Sequence, residues 1–245
     1  MPARSDPLAG AVIAFDLDGT LVDTAPDLIG SLNVVLGECG LPPLPVEAAR
    51  LVAGRGARAM VARGFQAEGL IVPPDREPAL FERFIEIYVG RIADESRPFP
   101  GVIEALDQLA AAGASLAVCT NKRSDLSLAL LDALGLTPRF AAIVGPDTAG
   151  AFKPDPRHLL KTIEAAGGRP ERALMVGDAA TDRDAAAAAG VPAVLVSFGY
   201  SDPPAADLNP DALIDHFDQL TPIARRLLAA PTAAISPVLP GPADA

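Results

Sequence analysis

Near its start the chain runs through five residues without a polar side chain, Ala11-Val-Ile-Ala-Phe15, and then meets Asp16-Leu-Asp18-Gly19-Thr20 at once. A short apolar run that stops at a turn signal is the pattern of a strand buried on both faces. The same pattern returns at Ser115–Cys119, ahead of Thr120-Asn121-Lys122, and at 173–176, ahead of Gly177-Asp178. It returns again at 141–144 and 192–196. Between these runs the apolar spacing is helical over 102–112, 124–135, 156–166 and 182–189, with a closing helix over 215–228 and Ser124 as the cap of the second. Strands separated by helices of about ten residues predict βαβ units and a parallel sheet. The expected fold class is α/β: a doubly wound parallel sheet with a Rossmann-like core.

One stretch breaks the rhythm. Leu28, Ile29, Leu32, Val35 and Leu36 share a helical face, with Thr24 or Asp27 available as a cap. A proline-rich break follows at 40–45. Gly54-Arg55-Gly56 precedes another helix over 57–66, and Pro73-Pro74 interrupts again. Phe81, Phe84, Ile85, Tyr88, Val89 and Ile92 then line an amphipathic helix. No strand is expected from 25 to 97. The predicted division is a core of 1–24 and 98–230, an inserted helical cap of 25–97, and a disordered tail of 231–245 that carries four prolines and little periodicity.

Composition narrows the function. The chain has 245 residues, half of them hydrophobic, which is ample for a buried core. A net charge of −11 argues against nucleic acid or an anionic membrane as a partner. No apolar run is long enough to span a bilayer, and the first residues, Met-Pro-Ala-Arg-Ser-Asp, lack the apolar core of a secretion signal. Cys39 and Cys119 are too few for a disulfide framework and have no partners spaced for zinc. A cytoplasmic protein with a small-molecule partner is expected; the oligomeric state is left open.

The chemistry sits where the strands stop. In a parallel sheet the carboxyl ends lie along one edge, where open α/β folds bind ligands. That edge would gather Asp16 and Asp18 from the first strand and Thr120 and Asn121 from the second. It would also gather Lys153 after the third, and Asp178 with Asp182 after the fourth. Three carboxylates suit a hard divalent cation such as magnesium. A hydroxyl, backbone N–H groups and an ammonium suit phosphoryl oxygens. One carboxylate can attack phosphorus and another can transfer protons. Singly, each has a plainer reading: Asp16 and Asp18 as turn residues, Thr120 as a strand end, Lys153 as a surface lysine, Asp182 as a helix cap. Arg55, Arg58 and Arg63 offer guanidinium groups to a substrate carboxylate, or a solvated helix face.

Asp16-Leu-Asp-Gly-Thr-Leu-Val-Asp-Thr24, Thr120-Asn121, Lys153-Pro154 and Gly177-Asp178-Ala-Ala-Thr-Asp182 resemble the four motifs of the haloacid dehalogenase-like hydrolases. The helical insertion resembles the cap of that family's phosphoglycolate phosphatase-like branch, with Gly54-Arg55-Gly56 at the branch's cap loop. The resemblance implies Asp16 as nucleophile and magnesium ligand, and Asp18 as acid and base, with its carbonyl on the metal. It implies Thr120, the Asn121 backbone, Lys153 and Arg55 as substrate-binding groups, with Lys153 also neutralising catalytic charge. Asp178 would be a metal ligand and Asp182 an outer support for metal-bound water or Lys153. Ala179 and Thr181 depart from the Ser and Asn of many relatives. An Asp at 18 favours phosphate-ester hydrolysis over dehalogenation. The implied activity is magnesium-dependent hydrolysis of 2-phosphoglycolate or a similar small phosphate through an aspartyl-phosphate. The alternatives are a sugar-phosphate phosphatase, a pyrophosphatase, a phosphomutase, or an inactive phosphate- or metal-sensing protein.

Overall fold

The computed structural model describes residues 6–54 and 56–229. In chain order the elements are β1 (Val12–Phe15), β2 (Val22–Asp23), α1 (Ala25–Glu38), α2 (Val46–Ala53), α3 (Ala57–Ala67), α4 (Glu77–Val89) and β3 (Arg97–Pro98). They continue with α5 (Val102–Ala111), β4 (Ser115–Cys119), α6 (Ser124–Ala133), β5 (Ala142–Val144), α7 (Pro146–Ala149), α8 (Pro156–Ala165) and β6 (Ala173–Gly177). The last are α9 (Ala180–Ala189), β7 (Ala193–Val196), β8 (Ala212–Ile214) and α10 (Leu220–Ala229).

Six of the strands form one parallel sheet in the order β5-β4-β1-β6-β7-β8. Every residue of β1 is buried, and the strand alternation divides its side chains between two cores. Ile13 and Phe15 pack with residues of α5, α6 and α10, while Val12 and Ala14 pack with residues of α8 and α9. Helices therefore cover both faces, and the expected doubly wound α/β architecture is what forms. The chain builds outward from β1 through β4 to β5 on one side and through β6 to β8 on the other. The crevice flanking β1 is thus the switch point of the topology.

α1 to α4 pack on each other around Ile29, Leu32, Leu36, Met60, Phe84 and Tyr88, a second hydrophobic cluster that also takes in Tyr200. The expectation of no strand over 25–97 fails only at its last residue, Arg97, the first of β3. β2 and β3 pair antiparallel, Val22 opposite Pro98 and Asp23 opposite Arg97, so the helical stretch leaves and rejoins the chain at adjacent points. Two-residue strands are too short to show periodicity. The buried Asp27 carboxylate reinforces this closure by accepting the N–H groups of Glu95 (3.0 Å) and Ser96 (2.7 Å) and the Ser96 hydroxyl (2.7 Å).

Near the other end, the expected helix over 215–228 starts only at Leu220. Ahead of it lie β8, which completes the sheet, and a 3-10 turn at Phe217–Gln219 capped by the His216 side chain. Three residues are again too few to read as a strand. α6 is not capped by Ser124, which is its first residue; the Ser124 hydroxyl donates instead to Asp147 Oδ1 (3.0 Å). Thr24 does hold the cap position of α1 but makes no cap bond there. No helix among the described residues is long and apolar enough to cross a membrane. Arg55 and the tail over 231–245 lie outside the described residues.

Candidate active site

β1 ends in Asp16 and Asp18, and Gly19 turns the chain with φ +82°. A Cβ at Gly19 would stand 2.8 Å from Asp178 Oδ2 and 2.9 Å from the Tyr200 ring, so the turn admits only glycine beside the acids. The neighbouring strands deliver the rest. Asp178 follows β6, Thr120 follows β4, and Lys153 enters from the loop after α7.

Lys153, with its side chain 1% exposed, is the hub. Its Nζ lies 2.9 Å from Asp16 Oδ1, 2.6 Å from Asp182 Oδ1 and 2.7 Å from the Cys119 carbonyl oxygen. The Lys153 main chain is clamped by Asn121. The Lys153 N–H donates to Asn121 Oδ1 (2.8 Å), and Asn121 Nδ2 donates to the Lys153 carbonyl (3.0 Å). Burial opposes the Lys153 charge, but the Asp16 and Asp182 carboxylates outweigh it and hold its pKa above the ordinary range.

One carboxylate oxygen each from Asp16, Asp178 and Asp182 lies within 4.8 Å of the other two. Asp182 is occupied on both oxygens: one takes Lys153, the other accepts the N–H groups of Asp178 (3.2 Å) and Ala179 (3.0 Å) at the start of α9. Asp178 is steadied by the Thr20 hydroxyl (3.1 Å) and the Tyr200 N–H (2.7 Å). Burial raises Asp16 to about 6 against the pull of Lys153. Burial also raises Asp178 to about 8, with the Asp182 and Asp16 charges adding to the effect. Buried, all-oxygen and short of positive charge, the cluster fits a hard divalent cation. Asp16 and Asp178 take two polar contacts each, against three on Asp182, and so keep more capacity to hold it.

Asp18 lies apart from that trio. Its carboxylate accepts the Thr24 hydroxyl (2.7 Å) and two contacts from Lys122 Nζ (3.0 and 3.1 Å). The Lys122 ammonium also sits 4.6 Å from the centre of the Tyr88 ring on α4. Thr120 is 1% exposed, and its hydroxyl accepts the Lys122 N–H (3.1 Å). Of the residues singled out in the sequence, Asp16, Asp178, Asp182 and Lys153 meet directly. Asn121 meets Lys153 through its side chain, and Asp18 stands with Lys122 and Thr24. Arg58 is engaged elsewhere, paired with Glu77 and stacked 4.3 Å over Phe81.

Lys122, Thr20, Thr24 and Tyr200 were not singled out as site residues. Lys122 had a signal in its place beside Thr120-Asn121. Tyr200 had none, because its hydroxyl works across the molecule. It donates to Asp23 Oδ1 (2.6 Å), accepts the Ala25 N–H (2.9 Å), and faces Arg50, which pairs with the same Asp23 oxygen (2.9 Å).

Two acidic motifs, a threonine and a buried lysine thus converge at the switch point of a doubly wound sheet. The family model described as haloacid dehalogenase-like hydrolase matches residues 13–196, and the chain belongs to that family. Among curated proteins it is 56% identical over 210 residues to a phosphoglycolate phosphatase of Caulobacter vibrioides, covering 86% of this chain and 89% of that protein. A phosphoglycolate phosphatase of Agrobacterium fabrum is 50% identical, with 89% and 93% covered. Among solved structures, a predicted phosphoglycolate phosphatase from Haemophilus somnus 129pt superposes with a TM-score of 0.81 at 31% identity, covering 88% of this chain and 98% of that one.

Proposed function

We propose that the chain is a magnesium-dependent phosphomonoester hydrolase that cleaves 2-phosphoglycolate through an aspartyl-phosphate. The observation that carries this reading is the ion-paired cluster of Asp16, Asp182 and Lys153 beside Asp178, drawn from separate strand ends. The named relatives supply the substrate.

An Asp16 carboxylate oxygen attacks phosphorus, and the bond to the bridging ester oxygen breaks. Asp18 gives its proton to that departing oxygen. Asp18, now ionised, then takes a proton from water as the water attacks the acyl phosphate, which frees phosphate and restores Asp16. Lys153, fixed by Asn121 and Asp182, balances charge on Asp16 and the phosphoryl oxygens. Thr120 and the Asn121 backbone bind the phosphoryl group. Asp16, Asp178 and the Asp18 carbonyl would hold magnesium, which supplies positive charge to the phosphoryl group when bound. Asp182 supports from behind. Residues 1–24 and 98–230 act as the catalytic core, and 25–97 as a cap that excludes bulk water, with Arg55 assigned to substrate binding.

The test is phosphate release from 2-phosphoglycolate, hexose phosphates and pyrophosphate, with and without chelator. The wild type should hydrolyse 2-phosphoglycolate fastest and stop on chelation. Asp16→Asn should lose at least about 1,000-fold in kcat, as removal of a nucleophile does, with its circular dichroism unchanged. Near-wild-type turnover by Asp16→Asn would remove the nucleophile assignment.

A further inference from the structure

The site sets the carboxylates of Asp16, Asp18, Asp178 and Asp182 against the ammonium groups of Lys153 and Lys122. Lys153 is fully committed. A lysine ammonium has three donors, and those of Lys153 face Asp16, Asp182 and the Cys119 carbonyl.

Lys122 is differently placed. Its two carboxylate contacts both go to Asp18, and its remaining side faces Tyr88, through the ring and the phenol hydroxyl. An aromatic face attracts a cation without claiming a directed hydrogen bond. Lys122 can therefore take up a new oxygen without depriving a second carboxylate. It is held in the charged form, since the Asp18 and Tyr88 interactions outweigh its burial.

Its position relative to the ester follows from that of Asp18. The group that protonates the bridging oxygen must touch it, so the leaving alcohol departs past Lys122. In 2-phosphoglycolate the carboxyl carbon is bonded to the carbon that carries the bridging oxygen. The second negative charge of the substrate therefore arrives beside the Asp18 carboxyl, which carries the proton to be donated and offers that charge no positive partner. Among the described residues, Lys122 is the cation paired with Asp18.

The geometry points to Lys122 as the residue that selects a leaving group carrying its own negative charge, through an ion pair between its ammonium and that carboxylate. This rests on the reading of Asp18 as the proton donor in the preceding subsection. It makes Lys122 a substrate-selecting group on the sheet core, and it explains why an aromatic ring from the helical segment, Tyr88, backs the ammonium.

Two esters that differ in leaving-group charge separate this role from simple support of Asp18. They are 2-phosphoglycolate and 2-hydroxyethyl phosphate, its neutral counterpart. The wild type should prefer the charged ester in kcat/KM. In Lys122→Met that preference should fall by about 10- to 100-fold, the range for losing one charged hydrogen bond, chiefly through KM. Lys122→Arg should restore much of it.

Equal loss on both esters would overturn the proposal and leave Lys122 as a prop for Asp18. So would an unchanged ratio, or a wild type that prefers the neutral ester. If Lys122→Met fails to fold, Lys122→Gln and Lys122→Arg carry the same comparison. If the wild type cleaves other charged esters but not 2-phosphoglycolate, the substrate named above is wrong. Lys122 is then judged on those esters and their neutral counterparts by the same ratio.

Discussion

Asn121 grips Lys153 through both ends of its amide, while Lys153 in turn faces Asp16. Asn121→Ala removes both clamp bonds and frees the loop that carries the lysine. The expected result is a kcat lower by roughly 10- to 100-fold, with a stability loss of only about 1–3 kcal/mol. Steady-state kinetics alongside a denaturant melt check both halves, and Asn121→Asp should not rescue, because its side chain lacks the amide donor.

The acids make a second prediction. In the metal-free protein Asp16 is raised to about 6 and Asp178 to about 8, from 3.8. Between those limits the native state binds more protons than the unfolded chain. Stability of the metal-free protein therefore falls as pH rises from about 4 to 8. A bound divalent cation cancels the repulsion, so the rise in Tm on adding magnesium should be larger at pH 8 than at pH 5. A magnesium effect independent of pH would contradict the assignment of these two groups.

Among the elements, the end of β6 tolerates little change. A Cβ on Gly177 would stand 2.3 Å from Asp182 Cγ. Gly177→Ala should displace the Asp182 carboxylate from Lys153, costing about 1–3 kcal/mol through overpacking, with a larger fall in activity than in Tm. Asp27 on α1 predicts the opposite signature. Its carboxylate, 0% exposed, ties α1 to Glu95 and Ser96. Asp27→Ala leaves buried donors unpaired and should destabilise by about 2–4 kcal/mol, while the acid cluster itself keeps all its contacts. Chemical denaturation followed by circular dichroism measures it.

Elements differ in how far sequence revealed them. β1, β4 and β6 carry apolar runs long enough to be seen, and each stops at a polar cluster, so the strand ends and their acids could be located together. β2, β3 and β8 span two or three residues, below any period, and exist because partners lie alongside. The contact between Lys122 and Asp18 joins residues separated by 104 positions, and that between Tyr200 and Asp23 joins residues 177 apart. No local pattern announces such pairs.

At the scale of the molecule, the strand order places β1 between β4 and β6, so the site is made where the two halves of the sheet diverge. The alternation of apolar runs and helices was enough to foresee a doubly wound parallel sheet, though not its strand order, because both faces of a parallel sheet must be covered. What the alternation could not convey is how the helical stretch is moored. Tyr200 donates its main-chain N–H to Asp178 and its hydroxyl to Asp23, so one side chain spans from the acid cluster to the start of α1. Tyr200→Phe keeps the ring and the N–H but loses both hydroxyl bonds. It should leave magnesium affinity near the wild-type value while raising KM severalfold, which metal titration and steady-state kinetics would separate.

The adjacency of Val22 and Pro98 has an architectural consequence. Seen from the sheet, everything between them is a detour whose entrance and exit share a doorway. A shortened chain that bridges the doorway with a tight turn asks for no new path through the sheet. The same doorway would accept a foreign module of different size, provided its two ends stand as close as neighbouring strands do.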